Sequence, residues 1–323
     1  VSTERERNAS FTPRQGPRLA DRDTCPFCPG HEDDSSPPTL EVLDDDGSWR
    51  VRVVPNRYPA FSGDRPFVVD HRGPVFTEAP ASGIHEVLVF SPDHDETWAD
   101  FDDEQARLVM HVMRDRTNAH RATPGLRYSQ VIVNAGREAG ASIDHPHGQL
   151  LGIPFVPREL VDEQGGFARF AGGCLLCTAN ESEERLGYRV VEKNPSAITY
   201  APYWSGTPYE LLIAPRAHQA HLHDATDHAL DAIGIAIRNA LSAIRHAVGD
   251  VAYNVVFHAA PYRATAPFHW HVHVLPKLVT RAGFELGTGV YINVVSPERA
   301  SEDLRQSVKV LSGGAHPAEG VAS

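Results

Sequence analysis

One small pattern occurs twice along the chain. Cys25-Pro-Phe-Cys28 and Cys174-Leu-Leu-Cys177 hold all four cysteines. His94 precedes His145 by 51 residues, and His218 precedes His269 by the same 51. The elements around each pair follow one order: Cys-x-x-Cys, an apolar run ending in Pro and then His, a helical stretch, another strand-like run, and a histidine cluster. A disulfide framework would be denser and less regular. A thioredoxin-like redox pair needs a strand before it and a helix after it, whereas "RDTCPFCPGHEDDSSPP" is full of turn residues. Two thiolate pairs therefore point to metal. A closed zinc site takes four Cys or His donors, and the repeated histidines can supply the other two for each pair.

The elements follow from periodicity. "HEVLVFSPDH" and "PYELLIAPRAH" read as strands that deliver a histidine at their exit. From Asp227 to Val248, Leu230, Ile233, Ile237, Leu241, Ile244 and Val248 recur at three- and four-residue spacing, which predicts a helix covering a sheet. Phe101 to His120 repeats this less cleanly. "YSQVIVNAG" and "YNVVFHAAP" are strand-like. In "FHWHVHVLPKL", period two sets His269, His271 and His273 on one face against Trp270, Val272 and Val274. The fold class expected is α+β, with two related halves, each an antiparallel sheet under a long helix. The division falls at 1–165 and 166–323, with Asp162 to Gly173 as the connection. The first 20 residues are expected to be extended, and the tail from Gly313 disordered. Asp44, Asp45 and Asp46 lack the spacing of a calcium loop and suit a hydrated hairpin.

A formal charge of −12, from 30 Lys and Arg against 42 Asp and Glu, argues against nucleic acid or anionic membrane as a partner. No apolar run is long enough to span a bilayer or to act as a leader, so the expected location is the cytoplasm.

The residues Cys-Pro-Phe-Cys-Pro-Gly-His-Glu at 25–32, Pro-Asn-Arg-Tyr-Pro-Ala at 55–60, Ser-Pro-Asp-His at 91–94, Asn134, Gly-Ala-Ser at 140–142 and His-Pro-His-Gly-Gln at 145–149 carry a resemblance. They resemble the galactose-1-phosphate uridylyltransferase branch of the histidine-triad superfamily, across nearly the whole chain. The resemblance implies a histidine-triad-like fold, a homodimer, and a first zinc site of Cys25, Cys28, His94 and His145. It assigns His147 as the carrier of a nucleotidyl group.

A neutral imidazole is a competent nucleophile near pH 7, and a covalent phosphoryl intermediate splits one displacement into two. Gly140, Ala141, Ser142 and Gly148 suit a phosphate cradle, with Gln149 donating its amide. Gln149 stands where many histidine-triad hydrolases carry a third histidine, and in the register that His273 holds in the second half. Asn56, Arg57 and Asn134 are candidate nucleotide contacts. Lys277 and Arg281 could balance a phosphate, and Phe284, Glu285, Gly287, Thr288 and Gly289 are candidate contacts reaching a partner's sugar phosphate.

The implied reaction moves a nucleoside monophosphate, UMP by family default, from a nucleoside diphosphate sugar such as UDP-glucose to a sugar 1-phosphate such as galactose 1-phosphate. For the second metal the resemblance offers two arrangements. Cys174, Cys177, His218 and His269 match the second zinc of a subgroup resembling ADP-glucose phosphorylase. Glu163, His258, His271 and His273 match an iron-type set, with Glu163 otherwise read as a solvated carboxylate. Competing functions are an ADP-sugar phosphorylase or adenylyltransferase, a dinucleoside polyphosphate hydrolase, and a noncatalytic zinc-stabilised binding protein.

Overall fold

The structure is a computed structural model that describes residues 21–63 and 65–313. The expectations for the first 20 residues and for 314–323 lie outside the described residues. Twelve strands are described: β1 (Leu40–Leu43), β2 (Trp49–Pro55), β3 (Asp70–Arg72), β4 (Phe76–Glu78), β5 (Ile84–Val89), β6 (Tyr128–Ala135), β7 (His147–Ile153), β8 (Val190–Lys193), β9 (Ala197–Tyr200), β10 (Leu211–Pro215), β11 (Tyr253–His258) and β12 (His271–Pro276). The helices are α1 (Asp103–Ala122), α2 (Arg158–Arg169), α3 (Leu175–Leu186), α4 (Asp227–Val248), α5 (Gly283–Thr288) and α6 (Pro297–Gly313).

Ten strands form one sheet in the order β1-β2-β5-β7-β6-β11-β12-β10-β9-β8, all neighbours antiparallel. The two related halves appear in that order: five strands of one are followed by five of the other, joined where β6 pairs with β11. Position 165 lies inside α2, so the connection between the halves is largely helical.

Period two sorts the strand residues between the two faces. Leu88, Leu150, Val131, Val133, Val255, Phe257, Val272, Val274, Leu211 and Ile213 enter one core under α1 and α4. Their alternates, His147, Gln149, Asn134, Asn254, His258, His271 and His273, therefore share the opposite face. On that face, Val87 and Val89 pack with Cys25, Phe27 and Cys28 at one end. Leu212, Ala214 and Phe268 pack with Leu160 and Phe167 of α2 and Leu176 of α3 at the other.

The two long helices match the periodicity. α4 spans Asp227–Val248, as expected, and Thr226 Oγ1 accepts from Ala229 N at its start. α1 begins at Asp103 rather than Phe101, because Asp102 caps it by accepting the Gln105 amide. Gly234 lets α4 approach α1: a Cβ there would run into the Ala106 carbonyl. Asp44–Asp46 do form a hairpin turn between β1 and β2, closed by Asp44 N to Ser48 O at 2.7 Å. No helix among the described residues is long and apolar enough to cross a membrane.

Candidate active site and metal centres

Cys25 and Cys28 come from the turn-rich segment before β1, His94 from the exit of β5, and His145 from the entry to β7. All four are buried, and their donor atoms lie within 4.8 Å of one another. Cys28 Sγ is 3.3 Å from His94 Nδ1 and 3.6 Å from His145 Nδ1. His145 Nε2 lies 2.7 Å from the Ser91 carbonyl oxygen, which only accepts. The proton is therefore on Nε2, and the Nδ1 lone pair faces the thiols. Burial pushes His145 down to about 4, against the Ser91 carbonyl, so it is neutral as a ligand must be. Burial and Cys25 push the Cys28 thiol up to about 11, so a buried thiolate pair needs a cation beside it.

The second half repeats this design. Cys174 caps α3 and Cys177 lies in its first turn, while His218 follows β10 and His269 precedes β12. Cys177 Sγ is 3.3 Å from His269 Nδ1 and 3.6 Å from His218 Nδ1. His269 Nε2 lies 2.9 Å from the Pro215 carbonyl, 54 residues away, as His145 lies 54 residues from Ser91. This cluster is less enclosed, for His218 is exposed. Burial, with Cys174, raises Cys177 to about 12. Both Cys2His2 sets can bind a metal ion, and their soft thiolates with imidazole suit zinc.

The two arrangements offered for the second metal are not alternatives. His258, His271 and His273 form a third cluster, separate from the cysteines. Glu163, expected to be solvated, is bound instead: its Oε2 is 2.8 Å from His258 Nδ1 and its Oε1 is 3.2 Å from His271 Nε2. The reason is α2, whose helical form turns Glu163 onto the sheet face where a loop would leave it in solvent. His271 Nδ1 sits 2.9 Å from the His269 carbonyl, so Nδ1 carries the proton and Nε2 presents a lone pair to the carboxylate. Two facing acceptors require a proton or a metal ion between them. The His258 hydrogen bond and the imidazoles hold Glu163 below its ordinary pKa despite its burial. Burial lowers His271 to about 3, opposed by the Glu163 carboxylate.

His147 opens β7. Its Nδ1 lies 2.8 Å from the carbonyl oxygen of His145, so Nδ1 donates and Nε2 keeps its lone pair. Burial lowers its pKa, opposed by that carbonyl and by Asp144. The Phe27 ring stands 5.5 Å from the imidazole, centroid to centroid. Gln149, on the same face, meets His85 Nε2 through Oε1 at 2.9 Å, and Asn56 Nδ2 lies 3.2 Å from the same nitrogen. Asn134 Oδ1 accepts from Asn254 Nδ2 at 2.7 Å, across the paired positions of β6 and β11. His85 and Asn254 escaped the sequence reading. The signal for Asn254 was its place in the repeated strand "YNVVFHAAP"; for His85 it was a polar residue inside an apolar strand.

Of the expected cradle, Gly140 has φ +88 and closes the turn before the loop, Ala141 is buried, and Ser142 is exposed. Gly148 faces the other way: a Cβ there would meet Phe90 at 2.6 Å. Arg57 is exposed, with Nη1 3.3 Å from the Asp34 carbonyl. Lys277 follows β12, and burial, then Arg281, lowers its pKa. Phe284, Gly287, Thr288 and Gly289 are exposed on α5 and its cap. Their bonds are local: Glu285 Oε2 accepts from Ala282 N, and Thr288 Oγ1 donates to Phe284 O.

Known proteins resemble this chain in sequence and in fold. Residues 4–157 match the family described as galactose-1-phosphate uridyl transferase, N-terminal domain, and residues 101–321 match a domain of unknown function, DUF4921. The sequence is 30% identical to ADP-glucose phosphorylase of Arabidopsis thaliana over 296 residues, 88% of this chain and 82% of that protein. The chain belongs to the galactose-1-phosphate uridylyltransferase family. As a member of that family it is an enzyme, a nucleotidyltransferase. Galactose-1-phosphate uridylyltransferase of Thermotoga maritima is 27% identical over 297 residues, covering 88% of this chain and 89% of the relative. Among solved structures, ADP-glucose phosphorylase from Arabidopsis thaliana with bound ADP-glucose superposes with TM-score 0.79 at 28% identity, over 94% of each chain. A uridylyltransferase gives 0.77 at 26% identity, over 93% of this chain and 94% of its own.

Proposed function

We propose that His147 carries a nucleoside monophosphate between two phosphate compounds in two half-reactions. The observation that supports it most is the 2.8 Å hydrogen bond from Nδ1 to the His145 carbonyl, which leaves Nε2 as a neutral nucleophile. In the first half-reaction Nε2 attacks the α-phosphorus of a nucleoside diphosphate sugar. A P–N bond forms, the P–O bond to the β-phosphate breaks, and sugar 1-phosphate leaves with the electron pair. In the second, a phosphate oxygen of the acceptor attacks the same phosphorus and the P–N bond breaks, returning the lone pair to Nε2. Gln149 and Ser142 are the donors to the phosphoryl oxygens. The Gly140 and Ala141 amides already donate to the Arg137 and Gly136 carbonyls and shape the loop, and Gly148 is held in β7 between β5 and β6.

Zinc in the first Cys2His2 set would fix the loop that holds His147 without touching the phosphate. Zinc in the second would tie α3 to the sheet. Glu163 with His258, His271 and His273 suits another first-row divalent ion, zinc or iron(II). On the same reading Asn56, Arg57 and Asn134 contact the nucleotide. Lys277 and the α5 residues Phe284, Glu285, Gly287, Thr288 and Gly289 meet the sugar phosphate of a partner in a homodimer.

Two donors fit this chemistry. UDP-glucose, with galactose 1-phosphate as acceptor, is the family default. ADP-glucose is favoured by the likeness to ADP-glucose phosphorylase and by the second Cys2His2 set. The test is release of glucose 1-phosphate from each donor in a single turnover, followed by discharge with galactose 1-phosphate, inorganic phosphate or water. Turnover with galactose 1-phosphate supports a transferase, and turnover with phosphate a phosphorylase. Discharge by water alone, or no release from any donor, overturns nucleotidyl transfer.

A further inference from the structure

His85 lies on β5 opposite Leu151 of β7, one diagonal step from Gln149, and is 8% exposed. Three nitrogen or oxygen atoms meet its ring. The Ala60 backbone N–H points at Nδ1 at 3.0 Å. Gln149 Oε1 is 2.9 Å from Nε2, and Asn56 Nδ2 is 3.2 Å from the same atom.

The proton count leaves one solution. A backbone amide can only donate, so Nδ1 must hold its lone pair, and a neutral ring then carries its single proton on Nε2. An imidazolium is excluded, since it would set N–H against N–H at Ala60. The Nε2–H donates to the acceptor that faces it, Gln149 Oε1. Both hydrogens of the Gln149 amide nitrogen are then left for another partner, and among the described residues that nitrogen has none. Asn56 is constrained in the same sense: its Oδ1 accepts the Tyr58 N–H at 2.8 Å, and its Nδ2 cannot donate to a nitrogen that already bears hydrogen.

We propose that His85 is a positioning residue that locks the Gln149 carboxamide with its N–H side toward the phosphoryl group on His147, so that this amide can donate but never present its oxygen. The proposal rests on the reading that Gln149 holds the transferred phosphate. Without His85, rotation of the terminal amide would set a carbonyl oxygen against anionic phosphoryl oxygens for part of the time. A single uniform donor is what preorganised stabilisation of such charge requires. Burial also lowers the pKa of His85, with the Gln149 bond opposing, which keeps the ring neutral.

Two measurements test it. Long-range proton–nitrogen correlation spectra of the unmodified protein, with the His85 signals identified by their loss in His85→Gln, should show the Nε2–H tautomer; an Nδ1–H tautomer overturns the proposal. The second is the rate of nucleotidyl-enzyme formation. Glutamine at 85 can donate to Gln149, whereas an ionised glutamate can only accept and must turn the amide over. His85→Gln should keep the rate within about fivefold and His85→Glu should lose about 100-fold, the scale of one lost oxyanion donor. In a Gln149→Ala background the difference between the two should vanish, because there is no amide left to orient. If the difference persists there, the effect is the added charge and the proposal fails. If Gln149→Ala alone leaves formation unchanged, it is the reading of Gln149 that fails. If Gln149→Ala slows the reaction but His85→Glu and His85→Gln behave alike, only the role of His85 is overturned.

Discussion

Glu163 Oε1 lies 3.2 Å from His271 Nε2, the nitrogen that corresponds in the second half to the one His147 leaves free. Both histidines hold the same tautomer through the carbonyl two residues earlier. Among the described residues no carboxylate meets the His147 nitrogen, whereas Glu163 meets that of His271. On the proposed reading, equivalent positions of the duplicated framework hold a nucleophile in one half and, in the other, part of the His258, His271 and His273 cluster.

Replacing that carboxylate by an amide should separate the two roles. Glu163→Gln is expected to lower the metal content by about one equivalent while both Cys2His2 sets keep theirs, since a neutral amide is a poor ligand beside imidazoles. Elemental analysis of the purified variant checks this, with the nucleotidyl adduct still forming on His147.

The cysteine clusters should differ in consequence. Cys28→Ser and Cys177→Ser should each lose about one zinc. Cys28 shares its metal set with His145, whose carbonyl fixes His147, so that variant should also slow adduct formation. Cys177 belongs to the set with the exposed His218, and its loss should lower thermal stability with little effect on chemistry. Zinc content, melting temperature and single-turnover rate together distinguish the outcomes.

Much of this site was legible because its residues are few in kind and repeat. Equal histidine spacings implied two related halves, and period two in "FHWHVHVLP" placed the imidazoles on one face. Glu163 was misjudged because "DEQGGFARFAGG" contains four glycines, and local composition hides a helix that packing of Leu160 and Phe167 sustains. His85 and Asn254 were missed for a different reason: each acts by orienting another amide, a relation set by strand register across the sheet rather than by any local motif. The two metal arrangements looked exclusive because a sequence does not show that Cys177 and His258 approach His269 and His271 separately.

Acid should slow the chemistry later than an ordinary histidine would. Burial holds His147 below the usual value of 6.5, and only the neutral form attacks. The rate of adduct formation should stay level as pH falls past 6.5 and decline only below it, through the depressed pKa. For stability the sign is the same: the unfolded chain takes up this proton first, so the contribution is complete above about 6.5 and is lost as pH falls toward the folded pKa. A rate already halved at pH 6.5 contradicts this.

Gly234→Ala tests the packing of the halves. In an exposed helix interior this change would stabilise by roughly 1 kcal/mol. Here the added Cβ meets the Ala106 backbone of α1. Net destabilisation of about 1–3 kcal/mol is expected, read as a lower midpoint in denaturant titration with an unchanged slope.

The nucleotidyl carrier is tested most directly by intact mass followed by peptide mapping after incubation with UDP-glucose and ADP-glucose. One nucleotidyl group per chain on His147, absent in His147→Ala that keeps its metals, is the expected result. An adduct on any other residue, or an adduct that survives in His147→Ala, contradicts it.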